Sequence, residues 1–138
     1  MIRGPAKQGL GAFVSREDCA RTAAAVLDAP PGGTYDVTGP ESLSLADIAR
    51  SLSGLTDRNL RYEDESMETG WEWRSRLGEP AWRAEVSLGW FEAIAAGELE
   101  HTRDTVSRFT GKRPLDIEEY FSAFPDLLRP LQLPYRRS

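Results

Sequence analysis

Few side chains in this 138-residue sequence are of the kind that catalyse reactions. His101 is the only histidine, so a multi-histidine metal site is excluded by counting. It lies among charged residues, and we predict that it is solvated at the start of a helix. A tyrosine followed four residues later by lysine would provide a proton donor for a reductase. That pattern does not occur after Tyr35, Tyr62 or Tyr120.

A group of carboxylates is the next candidate for chemistry. Glu63, Asp64, Glu65 and Glu68 could hold a metal ion, but their spacing matches no calcium-binding loop. The group lies between a predicted strand and a predicted helix. Acidic side chains at the amino end of a helix interact favourably with its dipole. We therefore predict no metal site, and interpret the carboxylates as a helix start.

Four tryptophans could stack on a planar ligand or fill a core. Trp82 and Trp90 share one face of a predicted helix, and we expect both to be buried. Trp71 and Trp73 point to different faces, so one of them could form a pocket wall. The glycines follow no GxGxxG pattern after a strand, so the sequence contains no phosphate-binding loop.

Composition narrows the class of protein. Lysine and arginine number 17 against 22 acidic residues, and 17 − 22 gives a net charge of −5 that disfavours nucleic acid as a partner. Cys19 is the only cysteine, which excludes an intrachain disulfide and is typical of a reducing cytoplasm. No apolar run approaches the roughly 20 residues of a membrane helix, and no signal-peptide layout is present. We predict a cytoplasmic protein without a membrane segment.

The first 62 residues predict a mixed α/β part. A buried extended segment at 12–14 leads to a helix that ends near Asp28 and begins with a capping box of Ser15 and Asp18. Cys19, Ala23 and Leu27 mark its predicted inner face. A strand at 34–38, a helix capped by Ser44 and Asp47, and a strand at 60–62 then predict a βαβ unit with parallel strands.

From residue 63 the strand signals end and helices follow. We predict helices at 66–77, from Pro80 to about 97, and at 102–110 with Gly111 as a left-handed cap. A last helix begins at a capping box of Asp116 and Glu119. The chain is thus expected to form one unit, with an α/β part at 1–62, a helical part at 63–124 and an irregular tail at 125–138.

Several of these segments resemble one family in order and spacing. They are IRGPA at 2–6, AFVSREDCA at 12–20, TYDVTGPE at 34–41, AIAAGEL at 93–99 and FTGKRP at 109–114. Together they are similar to the NmrA-like NAD(P)-binding atypical short-chain dehydrogenase/reductases over residues 1 to about 121. Cys19 departs from the family, which usually has isoleucine or valine there.

The resemblance implies the carboxy-terminal part of a Rossmann-like fold, mostly helical with two or three short strands. The glycine-rich nucleotide half would precede Met1, so the resemblance implies NAD(P) as the cofactor of the parent family, with none held tightly by this chain. It also implies a quinone or other small electrophile as substrate. A fragment of this kind would be inactive alone. The alternative is a non-catalytic cofactor-sensing regulator or protein-binding module.

Two residues are candidates for binding substrate. In the family, the segment matched by residues 12–18 leads into the substrate cleft, which makes Phe13 and Arg16 its expected lining. The alternatives are that Phe13 belongs to the core and that Arg16 is a solvated first-turn residue. A sheet edge left open would also favour self-association.

Overall fold

The computed structural model describes residues 1–30, 32–56 and 58–129. Short strands alternate with helices in the first half, and helices alone make up the second. No helix in the described ranges has the length and apolarity to cross a membrane. The elements are β1 (Ile2–Gly4), β2 (Leu10–Gly11), α1 (Arg16–Leu27), β3 (Leu43–Ser44), α2 (Leu45–Thr56), β4 (Tyr62–Asp64), α3 (Met67–Arg76), α4 (Ala81–Ala95), α5 (Thr105–Thr110), α6 (Ile117–Ala123) and a 3-10 helix (Pro125–Leu128).

Two small sheets connect distant parts of the chain. Strand β1 pairs in parallel with β4, with Ile2 opposite Tyr62, and β2 pairs antiparallel with β3. A core of Ala6, Leu45 and Ile94 lies between these sheets and the helices. Helix α1 packs against α5, α2 against α6, and α3 against α4. The expected fold class, largely helical with few short strands, is confirmed, with four strands in place of two or three.

The predicted strand at 34–38 is wrong. These residues join no ladder in the structure, and β1 takes the position of parallel partner to β4. The β-branched residues that suggested a strand need a neighbouring strand to express that preference. Instead, Thr38 accepts the Arg103 amide at 2.7 Å and the Gly39 amide donates to Ala12 at 3.1 Å. The second predicted strand is present but begins at Tyr62.

The predicted helix boundaries follow capping side chains closely. Ser15 accepts the Asp18 amide at the start of α1, and Ser44 does the same for Asp47 at α2. The capping box of α6 is complete, and Gly111 ends α5 at φ 67° as predicted. Helix α5 is shorter than expected, because it begins at Thr105.

The expected inner faces of two helices are wrong. Trp82 and Trp90 are 68% and 66% exposed, whereas Ala84, Leu88 and Ile94 form the buried face of α4. In α1, Asp18 and Thr22 are buried while Cys19, Ala23 and Leu27 are exposed. Both helices are apolar on more than one side, so periodicity alone does not identify the side that faces the core.

The carboxy-terminal tail is partly ordered. Residues Pro125–Leu128 form a 3-10 helix with Leu128 buried, which replaces the start of the predicted irregular tail. The remainder of that prediction, 130–138, lies outside the described residues.

Candidate functional site

A cavity of about 320 Å³ opens between the start of α1, the β3–α2 segment and α6. Its volume is within the range of small-molecule sites. Most of its walls are aliphatic or aromatic, and a few charged side chains join them. The lining residues are Phe13, Val14, Ser15, Arg16, Pro40, Glu41, Leu43, Ile48, Leu52, Leu115, Asp116, Ile117, Tyr120 and Phe121.

Both residues predicted from the sequence to line a substrate cleft lie on this cavity. The Phe13 side chain is 40% exposed, so it is not a core residue, and the buried extended segment predicted at 12–14 is wrong at this position. Arg16 is the first residue of α1 and is exposed. Within the described residues, its guanidinium has no ion pair or side-chain hydrogen bond. It is therefore free to donate to a ligand.

Backbone contacts fix the segment that carries Phe13. The Ala12 amide donates to the Leu99 carbonyl at 2.7 Å, and the Ala12 carbonyl accepts the Gly39 amide at 3.1 Å. Gly39 packs so closely that a Cβ there would overlap the Phe13 carbonyl oxygen. Just before this segment, β2 is held by β3. The backbone of Phe13 is thus held from two sides, while its ring remains exposed.

A buried carboxylate joins two walls of the cavity. Asp18 is 0% exposed, and it accepts the Ser15 hydroxyl at 2.8 Å and the Leu115 amide at 3.0 Å. Arg21 also forms an ion pair with it. Burial by itself would raise the pKa of Asp18, but the hydrogen bonds from Ser15, Leu115 and Arg21 outweigh burial and lower it from 3.8.

The start of α6 forms another part of the wall. Asp116 accepts the Glu119 amide at 2.8 Å, and the Glu119 carboxylate accepts the Asp116 amide at 3.1 Å. The guanidinium of Arg113 donates to both carboxylate oxygens of Glu119. Hydrogen bonding from Arg113 and from the Asp116 amide lowers the pKa of Glu119 to about 2. These contacts orient the turn that presents Leu115 and Ile117.

The remaining lining residues were not predicted as site residues. Ile48 and Leu52 from α2, with Tyr120 and Phe121 from α6, have the spacing of core residues and were interpreted only as helix faces. Because α2 and α6 pack side by side, part of each apolar face borders the cavity. A sequence signal for that arrangement would require knowing which helices are neighbours.

The other candidate residues do not form a site. His101 is exposed, as predicted, and lies in the loop before α5, not at a helix start. Glu65, from the acidic group, is a partner of buried Arg74, with the two side chains 6% and 5% exposed and 3.4 Å apart. Trp73 donates to the same carboxylate at 3.0 Å. The interpretation of Glu65 as part of a helix start is therefore incomplete, because its charge is used in an internal ion pair.

The described residues do not fit the diphosphate of a dinucleotide. Gly9 and Gly11 serve close internal packing, because a Cβ would overlap the Ile94 carbonyl in one case and meet the Phe13 ring at 2.9 Å in the other. Gly32 and Gly33 follow a helix, whereas diphosphate loops precede one. The starts of four helices already bind their own side chains: α1, α2, α3 and α6. Carboxylates in those first turns would also repel phosphate.

The fold and the cavity together define the substrate side of a nucleotide-binding α/β protein, largely helical and without a phosphate loop in the described residues. No family profile matches the chain. Oxidoreductase YesF of Bacillus subtilis is 32% identical over 118 residues, which are 84% of this chain and 41% of that protein. The NAD(P)H azoreductase of Xenophilus azovorans is 27% identical over 121 residues, 86% of this chain and 42% of the azoreductase.

Solved structures share the fold. The NADPH-dependent quinone oxidoreductase of Escherichia coli matches with a TM-score of 0.82 at 22% identity, over 88% of this chain and 45% of the other. The Citrobacter triphenylmethane reductase in complex with NADP(H) matches with a TM-score of 0.79 at 23% identity, over 88% and 43%. The chain spans less than half the length of these relatives.

The homologues of this chain are oxidoreductases with the NAD(P)-binding NmrA-like fold, and the chain corresponds to a carboxy-terminal part of that fold. The family resemblance seen in the sequence is therefore confirmed.

Proposed function

We propose that this chain forms the substrate-binding side of an NAD(P)H-dependent reductase of quinones or similar small planar electrophiles. The observation that carries the proposal is the largely apolar cavity of about 320 Å³ with Phe13 and Arg16 on its lining. The named activities of the relatives support it, since azo compounds, triphenylmethane dyes and quinones are all conjugated electrophiles. A flat conjugated ligand suits walls of this composition.

The lining residues have separate roles in this proposal. Phe13, Tyr120 and Phe121 offer aromatic surface for stacking or edge contacts with the ligand. The unpaired guanidinium of Arg16 donates hydrogen bonds to a carbonyl oxygen and stabilises the negative charge that forms there on reduction. The hydride comes from the nicotinamide cofactor of the family. Because the described residues do not fit a dinucleotide, the chain alone binds electrophile but does not reduce it.

Calorimetric titration of the chain with a water-soluble naphthoquinone tests the site. We expect saturable one-to-one binding, and in a ¹⁵N–¹H spectrum the largest shifts should fall at 13–16 and 115–121. Phe13→Ala should weaken binding by about fivefold to tenfold, the effect of losing one well-placed aromatic contact. Trp71→Ala is the matched control, because Trp71 has a similar exposure of 38% and lies away from the cavity.

Two outcomes would contradict the proposal. Equal quinone affinity in the wild type and in Phe13→Ala would remove Phe13 from the site. Saturable binding of NADPH at micromolar concentration, followed by tryptophan fluorescence, would show that these residues do hold the dinucleotide and would overturn the assignment of substrate side alone.

A further inference from the structure

One face of α4 is apolar and open to solvent. Trp82, Val86 and Trp90 follow each other at intervals of four residues and are 68%, 54% and 66% exposed. They lie opposite the buried face of α4, so folding of the chain does not require their side chains to be apolar. Two largely exposed tryptophans on one helix are unusual for a surface, where such a patch marks an interaction site.

A glycine in the same face is also unexplained by the fold of one chain. Gly89 lies in the interior of α4, where glycine costs about 1 kcal/mol relative to alanine. It is exposed, and a Cβ at this position would meet nothing within 4 Å. Since no neighbour within the chain needs the missing side chain, the small size of Gly89 is available to a molecule outside it.

We propose that this face binds a second copy of the chain, with the two α4 helices antiparallel across a two-fold axis at Val86. With 100° between successive residues, Trp82 and Gly89 lie on one edge of the face, 40° and 60° from Val86. Arg83 and Trp90 lie on the other edge at the same two angles. Trp82 is four residues before Val86 and Gly89 is three after it, so the two-fold axis brings them together.

The pairing is complementary on both edges. The indole of Trp82 packs on the partner's Gly89, where the absent side chain lets the ring approach the helix backbone. On the opposite edge, the guanidinium of Arg83 lies over the partner's Trp90, an arrangement that stabilises by cation–π attraction. The Arg83 side chain is 69% exposed and available for this contact. A two-fold axis makes each contact twice, as an isologous interface requires.

The exposed area sets the strength of the dimer. Fully burying an aromatic side chain removes up to roughly 250 Å² from solvent, so two tryptophans that are two-thirds exposed contribute roughly 300 Å² per chain. With Val86 and the stem of Arg83, the interface approaches roughly 1,000 Å² in total, the lower bound for a specific complex. We therefore expect a weak dimer that dissociates at roughly tens of micromolar.

Sedimentation equilibrium of the full chain across a concentration series tests the dimer. The wild type should shift from the mass of one chain towards that of two. Gly89→Gln fills the groove without an internal clash, and it should raise the dissociation constant at least about tenfold, as should Trp82→Ser. Gly54→Gln is the matched control, since Gly54 is a helical, exposed glycine of α2 whose Cβ would also meet nothing within 4 Å. It should leave the constant within about twofold of the wild-type value.

A monomeric wild type at hundreds of micromolar would overturn the proposal. So would a dimer that survives Gly89→Gln and Trp82→Ser while circular dichroism shows both variants folded, because its interface would then lie elsewhere, as at the edge of a sheet. The test is independent of the cavity, because none of these three positions lines it.

Discussion

The carboxylate of Asp18 accepts the backbone amide of Leu115 at 3.0 Å and so connects positions 97 residues apart. The same carboxylate oxygen accepts the Ser15 hydroxyl at 2.8 Å. Ser15 and Leu115 both line the cavity, on different walls. One buried charge thus fixes the separation of the α1 start from the segment that leads into α6.

Replacing Asp18 should therefore loosen the fold and the cavity together. Asp18→Ala leaves the Leu115 amide and the Ser15 hydroxyl without their acceptor. Hydrogen bonds to a charged group are worth about 1.5–3 kcal/mol each, and an unsatisfied buried donor adds to the loss. We expect the free energy of unfolding, measured in urea, to fall by about 2–4 kcal/mol. The neighbouring exposed carboxylate offers a control, since Glu17→Ala should change it by less than about 0.5 kcal/mol.

The acid side of the stability profile provides a second measurement of the same contact. The pKa of Asp18 is lower in the folded chain than its ordinary value of 3.8. Its contribution to stability is therefore full above that value and is lost as the pH falls below it. Asp18→Asn should flatten the fall of unfolding free energy below pH 4. An unchanged slope in this variant would contradict the role assigned to the charge.

Tyr62 predicts a change of stability at the alkaline side. Its hydroxyl donates towards the Gly4 carbonyl at 2.7 Å and the Asp64 carboxylate at 2.8 Å, and accepts the Ala6 amide at 3.1 Å. Burial, followed by the hydrogen bond to Asp64, raises its pKa from 10 to about 12. Because the folded pKa is the higher one, the stabilisation is complete below pH 10 and is lost as the pH rises towards 12.

Unfolding of Tyr62→Phe in urea at pH 8 and pH 11 tests this prediction. At pH 8 we expect a loss of about 1–2 kcal/mol, since the hydroxyl contacts that connect β1 and β4 are removed. Between pH 8 and pH 11 the variant should lose less stability than the wild type. Tyr35→Phe is the control, because the Tyr35 hydroxyl makes an exposed contact with the Gly32 carbonyl. If Tyr62→Phe and the wild type lose stability in parallel, the Tyr62 hydroxyl is not the titrating group.

Local signals in the sequence predicted the helix starts. Ser15 with Asp18 and Ser44 with Asp47 are three residues apart, and the hydrogen bonds that they make depend on little beyond those residues. For the same reason Gly111 was identified as a left-handed helix end. Interactions of this range can be inferred from one chain of letters.

Features that depend on distant partners were not predicted. The segment at 34–38 has the composition of a strand, but the parallel ladder forms between β1 and β4. Trp82 and Trp90 have the spacing of a buried face, yet Ala84 and Leu88 are buried instead, because the packing of α3 decides which side of α4 is covered. Phe13 and Arg16 were selected through a family resemblance, and the aromatic walls opposite them come from α6, almost a hundred residues away in sequence.

Gly39 connects the fold to the candidate site most directly. Its position has no left-handed backbone requirement, since the glycines with positive φ are others, so alanine would be tolerated there by conformation alone. Yet a Cβ would overlap the Phe13 carbonyl oxygen, and this oxygen belongs to backbone that cannot rotate away as a flexible side chain can. Gly39→Ala must therefore shift the segment that carries Phe13.

We expect Gly39→Ala to lower the unfolding free energy by about 1–3 kcal/mol, the usual cost of overpacking, and to weaken naphthoquinone binding by several-fold. Gly54→Ala is the control: a Cβ at Gly54 meets no neighbour, so this variant should gain up to about 1 kcal/mol from helix propensity and bind the quinone unchanged. Loss of stability with wild-type quinone affinity in Gly39→Ala would separate the two effects and show that the position of the Phe13 backbone does not control the cavity.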